Sequence, residues 1–201
     1  MKIVLVRHGY TIGNDLGTYT GWSDTKLSEK GIEELHEYRE TYAYPKTDRY
    51  YTSDLVRTID TFKLIYGDET PINESSPAFR EIHFGDYEDI RWDQIDNIPY
   101  NEVYIRNQPH VNGETISQVA LRIFGKLNAI LDEMVVARED SLTIVCHSGI
   151  VKTFLMFLAP LSFDTFREIA TPNGLGYIMD VDYDVVNKLV TMNNYIEIPK
   201  K

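Results

Sequence analysis

The sequence predicts an α/β fold: a three-layer α/β/α sandwich on a mixed but mostly parallel central sheet, with the active site at the C-terminal ends of the strands. Two observations support that class. Short runs rich in Val, Ile and Leu alternate with segments whose apolar residues recur at helical spacing, the pattern of a sheet covered on both faces. Arginine and histidine then follow several of those runs directly, where open α/β sheets gather their ligands.

The strand-like segments are Lys2 to Val6, Tyr50 to Thr52, Leu142 to Cys146, Gly176 to Asp182 and Lys188 to Met192, with a weaker one near Pro71 to Glu74. The last pair reads as two strands joined by a turn near Asp184 to Asn187, which makes the sheet mixed. Ser28 is placed as a helix N-cap, with Leu27 and Ile32 as a hydrophobic staple across it. Ser53 is placed as the N-cap of a second helix, in which Leu55, Ile59, Phe62 and Ile65 recur at helical spacing. The longest helix runs from Glu114 to about Arg138, with Ile116, Val119, Ile123, Leu127, Ile130 and Met134 on one face. A fourth opens just after His147. The chain reads as a single domain over 1–201. The 85–113 segment, aromatic and polar with no clean period, reads as a cap or flap.

A chain of 201 residues, 43% of them hydrophobic, is long enough to bury a sizeable core. Its net charge of −11 repels nucleic-acid backbones and anionic membranes, so neither is expected as a partner. Any anion site must then be a local concentration of positive charge. Met1-Lys2 leads into a short strand rather than a secretory h-region, and the apolar stretch Phe154 to Leu161 is too short to span a bilayer. The lone Cys146 fits a reducing compartment and reads as a small buried hydrophobe. A cytoplasmic location is expected.

Arg7, His8 and Gly9 leave the first strand together. A guanidinium offers phosphate a planar fork of donors, while a neutral imidazole offers phosphorus a lone pair. Gly9 is expected to let a ligand approach the backbone. Arg57 falls in the first turn of the helix after Tyr51-Thr52, and His147 lies between a strand and a helix start. Helix N-termini add N–H groups and partial positive charge. Together these make an anion site, provided the sheet order joins the strand ends. A metal shell of His8, His83, His147 and nearby carboxylates is the rival. No H-E-x-x-H spacing supports it and two arginines would repel a cation, so no metal and no cofactor are expected.

The chain resembles the histidine phosphatase superfamily, the phosphoglycerate-mutase-like proteins, over nearly its whole length. The resemblance rests on Arg7-His8-Gly9 with Thr11 and Asn14, Thr20-Gly21-Trp22, Leu27-Ser28-Glu29-Lys30-Gly31, and Ser53-Asp54-Leu55 with Arg57. It continues through Arg80-Glu81-Ile82, Phe84-Gly85-Asp86, Gly113-Glu114-Thr115, Val145-Cys146-His147-Ser148-Gly149 and Pro172-Asn173-Gly174. In pattern it is similar to the bacterial broad-specificity and α-ribazole phosphatase-type members.

The resemblance implies that His8 is the nucleophile, forming a phosphohistidine. An imidazole with an unperturbed pKa of about 6.5 is substantially neutral at physiological pH. Arg7, Arg57 and His147 would surround the transferring phosphoryl group, where catalysis is largely positioning and electrostatics. Asn14, Thr20, Gly21 and Ser148 would be secondary phosphate contacts. Glu81 would be the general acid on the leaving oxygen. Other readings stay open. Asn14, between Gly13 and Asp15, also reads as a turn residue. Glu81 has Glu74, Asp86 and Glu88 as neighbouring carboxylates, and any of these reads equally as solvated. His36 and His110 read as surface histidines, and His83 as a polar residue beside a strand or turn.

The implied activity is that of a phosphomonoesterase acting on a small phosphorylated metabolite. A cofactor-dependent phosphoglycerate mutase and a catalytically silent phospho-ligand binder are the alternatives, and a homodimer stays open. Mutases of this family carry a paired-arginine segment, which this chain lacks; Arg91 and Arg106 stand alone. Tyr10 stands where many relatives carry an acidic residue, and Asp89 where many phosphatases carry glycine. Trp22, Tyr19, Tyr87 and Trp92 offer an aromatic wall for a substrate ring, or packing for the cap.

Overall fold

The structure, a computed structural model, describes residues 1–95, 103, 106–159, 161, 165, 166 and 168–201. Its strands are β1 (Lys2–Arg7), β2 (Arg49–Thr52), β3 (Glu74–Ser75), β4 (Ser141–Cys146), β5 (Gly176–Asp184) and β6 (Leu189–Glu197). They form one sheet in the order β3-β2-β4-β1-β5-β6. The strands β3, β2, β4 and β1 run parallel, while β5 and β6 pair antiparallel at one side. This is the mixed, mostly parallel sheet expected.

The two-residue period of β1 explains the three layers. Ile3 and Leu5 face one core with Ile123, Leu127 and Phe154, from α4 (Ile116–Ala137) and α5 (Ser148–Leu158). Val4 and Val6 face the other, with Leu35 of α2 (Glu29–Thr41) and Phe62 of α3 (Val56–Tyr66). All four β1 side chains are fully buried, so the run is continuously apolar because both faces are covered.

Ser28 caps α2 by accepting from the Gly31 N–H at 3.1 Å, while Ile32 is half-exposed. The α4 cap is Thr115, which forms a capping box with Gln118. The hairpin turn is closed by Asp184, whose Oδ1 accepts from Val186 and Asn187. The weak strand lies at Glu74–Ser75, beyond the expected Pro71 to Glu74, because only there does it pair with Tyr51 and Thr52.

Two local expectations are corrected. Ser53 is not the cap of α3: Leu55 holds that position without a side-chain bond, and the Ser53 hydroxyl serves a histidine instead. His110 is not on the surface but buried among Tyr19, Phe84 and Tyr87. The sequence reading also passed over α1 (Ile12–Leu16), a five-residue helix capped by Thr11 and Asn14 and closed by Gly17 at φ 66°.

Part of the 85–113 segment, at 96–102, 104 and 105, lies outside the described residues. Its two ends meet where the Asp86 N–H donates to the Val111 carbonyl at 2.9 Å. From there 85–92 runs along the 17–23 loop. Asp89 donates to the Tyr19 carbonyl, Tyr19 to Ile90, and Trp92 to Gly17.

Candidate active site

Because β2, β4 and β1 are neighbours, their carboxyl ends bring Ser53, His147 and His8 together. The Ser53 N–H donates to the Val145 carbonyl and the His8 N–H to the Cys146 carbonyl, which joins the three ends. The imidazoles of His8 and His147 meet edge to face, 5.1 Å between centroids.

His8 is 6% exposed, and its Nδ1 lies 2.8 Å from the Gly9 carbonyl. A carbonyl only accepts, so Nδ1 carries the proton and Nε2 keeps its lone pair. Burial, then the charges of Arg57 and Arg7, push the His8 pKa well below its ordinary value, against the opposing effect of the Gly9 bond. Burial, with Arg57 and His8 next, does the same to His147. Both rings are therefore neutral near pH 7.

Arg57 is fully buried. Its Nε donates to His147 Nδ1 at 3.3 Å, Nη1 to the Ser23 carbonyl at 2.8 Å, and Nη2 to the Gly21 carbonyl at 2.7 Å. Burial pushes its pKa down to about 10, with Glu81, Asp24 and Glu88 opposing, so the guanidinium stays charged at neutral pH. Arg7 donates from Nη1 to the Thr171 carbonyl at 2.6 Å. Its Nε is buried with no partner among the described residues, an N–H that an anion would satisfy. Burial lowers the Arg7 pKa against the opposing charge of Glu81.

Glu81 is 7% exposed and joins the same place. Its Oε1 accepts from the Ile82 N–H at 2.9 Å, and its Oε2 from the Gly149 N–H at 3.0 Å, in the first turn of α5. A Cβ on Gly149 would lie 2.3 Å from Oε1, so the glycine makes room for the carboxylate. Sequence reasoning missed the support behind Glu81. The Arg122 guanidinium, paired with Glu114, donates from Nη2 to the Glu81 carbonyl at 2.8 Å, and Trp22 Nε1 donates to the same oxygen at 3.0 Å. The Gly113-Glu114-Thr115 string was the available signal.

The four secondary residues differ in placement. Asn14 Oδ1 accepts from Thr11 and from Asn173 Nδ2, which also donates to the carbonyls of His8 and Gly9. Asn14 is thus a capping residue at the edge of the site. Ser148 Oγ bonds Thr171 Oγ1 at 2.6 Å. Thr20 Oγ1 is engaged with Thr18. Gly21 gives its carbonyl to Arg57 and its N–H to Glu88.

Gly9 has a packing constraint that the sequence did not show. A Cβ there would lie 2.5 Å from Leu35 Cδ1, so α2 also packs closely against this backbone. Tyr10 anchors α2 through its carbonyl, which accepts from the Ser28 N–H, and Lys30 lies over its ring. Among the aromatics, Tyr19 and Tyr87 pack around His110, while Trp22 is the one tied to Glu81. Among the described residues, no three His, Cys, Asp or Glu side chains converge as a metal-ligand group. No helix among them is long and apolar enough to cross a membrane.

Two histidines, two arginines and a carboxylate thus converge at the parallel strand ends. The chain belongs to the histidine phosphatase superfamily (branch 1), whose family model matches residues 3–195. It is 25% identical over 189 residues to the adenosylcobalamin/alpha-ribazole phosphatase of Salmonella typhimurium, covering 90% of this chain and 91% of that one. It is 28% identical over 201 residues to a phosphoglycerate mutase of Schizosaccharomyces pombe, covering 92% and 93%. The crystal structure of a phosphoglycerate mutase from Thermus thermophilus superposes with a TM-score of 0.70 at 26% identity, covering 98% of each chain.

Proposed function

We propose that this protein is a phosphomonoesterase that hydrolyses a small phosphorylated metabolite through a phosphohistidine on His8. The observation that carries the reading is the state of His8: neutral, with its Nδ1 proton committed to Gly9 and Nε2 left as a nucleophile beside Arg7 and the buried Arg57. In this mechanism the Nε2 lone pair attacks phosphorus as the bond from phosphorus to the ester oxygen breaks. Glu81 gives its proton to the departing oxygen. Arg7 and Arg57 surround the phosphoryl oxygens as charge spreads over them, while His147, whose Nδ1 accepts from Arg57 and whose Nε2 faces Ser53, orients Arg57 beside them. Water, losing a proton to Glu81, then attacks phosphorus. The P–N bond breaks and its electrons return to Nε2. Phosphate leaves and both groups are reset.

Hydrolysis rather than transfer to a second hydroxyl is supported by the lack of adjacent arginines to grip a second anionic group. The test is a stopped-flow burst with an aryl phosphate, followed by a panel of phosphate monoesters that includes 3-phosphoglycerate with and without its bisphosphate. The expected result is a burst of alcohol matching the enzyme concentration, then steady release of inorganic phosphate. Phosphoglycerate interconversion that outruns hydrolysis would establish a mutase. Ester binding without turnover would establish a binder.

A further inference from the structure

The carboxylate of Glu88 lies on the opposite side of a peptide group from Arg57. Its oxygens accept from three successive backbone N–H groups: Gly21 at 3.0 Å, Trp22 at 3.0 Å and Ser23 at 3.2 Å. They also accept from Ser23 Oγ and from the Phe84 N–H, both at 3.0 Å. Successive N–H groups turned to one point form an anion cradle, filled here by the protein's own carboxylate. The approach is close: a Cβ on Gly21 would lie 2.3 Å from Glu88 Oε1.

The peptide group between Gly21 and Trp22 is used at both ends. Its N–H donates to Glu88, and its carbonyl accepts from Arg57 Nη2. The next carbonyl but one, that of Ser23, accepts from Arg57 Nη1. Bonds at the two ends of an amide polarise and strengthen each other. We propose that Glu88 is a positioning residue for Arg57, holding the 21–23 loop so that its carbonyls aim the guanidinium at the phosphoryl group; this rests on the phosphatase reading. Asp89, at φ 61°, brings its Oδ2 within 2.6 Å of Ser23 Oγ, whose single proton Asp89 and Glu88 share. The start of the 85–113 segment is thereby tied to the phosphate-binding arginine.

Glu88→Gln replaces one acceptor oxygen with an amino group that faces donors. Glu88→Asp keeps the charge on a shorter stem. Calorimetry with inorganic phosphate reads Arg57 placement without requiring turnover. The expected result is a folded Glu88→Gln protein whose phosphate Kd and ester KM rise about tenfold, the loss of one charge-assisted contact. Its kcat falls by the same factor for activated and unactivated esters, and Glu88→Asp lies in between. A phosphate Kd within about twofold of wild type overturns the proposal. So does a rate loss that disappears once rates are divided by burst amplitude. If Glu88→Gln does not fold, the Kd of Glu88→Asp decides by the same criterion. Wild-type protein that binds no phosphate overturns the phosphatase reading itself. Wild-type binding that both variants keep overturns only the role of Glu88.

Discussion

Arg57 Nε donates to Nδ1 of His147 at 3.3 Å, so that nitrogen accepts and the His147 proton resides on Nε2, which donates to Ser53 Oγ at 2.8 Å. Ser53 Oγ in turn bonds Thr58 Oγ1 at 2.9 Å, and Thr58 has backbone carbonyls within reach of its own proton. One buried line of hydrogen bonds thus sets the tautomer of His147 and the orientation of Arg57.

Ser53→Ala is expected to leave the His147 Nε2 proton unpaired. Stability should fall by about 1–3 kcal/mol, the cost of a buried unsatisfied donor. Turnover should fall roughly tenfold, about 1.4 kcal/mol of transition-state stabilisation. Thermal denaturation and steady-state rates check both. An unchanged kcat would show that His147 needs no such support.

His8→Ala should abolish turnover, by roughly 10³-fold or more, while circular dichroism shows the same fold. The burst of alcohol should vanish with it. Near-normal activity would remove His8 as the nucleophile.

Glu81→Gln should slow esters of poor leaving groups by about 10²-fold or more and spare activated aryl esters, which need less protonation. Gly149→Ala should show the same pattern in weaker form, because its Cβ would displace the Glu81 carboxylate. Equal losses across the ester series would count against Glu81 as the acid.

Stability should decline as the solution becomes acidic below about pH 6.5, the unfolded-state histidine value. His8 and His147 are both held well below that value in the folded protein. Between the two values the unfolded chain binds protons that the native state does not, so stability rises with pH across this window. The slope is up to about 1.4 kcal/mol per pH unit for each histidine. Melting temperatures at pH 5.5 and 7.5 measure it, and His8→Ala should flatten the dependence.

Prolonged treatment with chelator should leave the rate unchanged, since two arginines at the site oppose a cation. Loss of activity restored by one added metal would require a different mechanism.

Much of this molecule was legible in its sequence for a physical reason. Continuous burial of Ile3 to Val6 and Leu142 to Cys146 favours apolar residues on both faces, with only Thr143 polar and bonded to Thr47, so parallel central strands announce themselves. The helical face of α4 is equally plain, because it turns one stripe toward the sheet. The strand-end positions of Arg7, His8 and His147 follow from the same boundaries. Short polar devices were harder to see. The capping box of α1 spans too few residues to show a period. Ser53 looks like any helix cap until β2 is laid beside β4.

What only the tertiary structure decided is which polar groups meet. Glu88 reads as a solvated carboxylate in sequence, yet folding places it against the 21–23 loop some sixty residues away. Arg122 lies on a helix face like many others, and only the packing of α4 brings it to the Glu81 carbonyl. The close packing of Leu35 against Gly9 is likewise invisible along the chain. Apolar burial repeats with a period and leaves a pattern in one dimension. A hydrogen bond between distant side chains has no period, so its partners appear only once the sheet order brings them together.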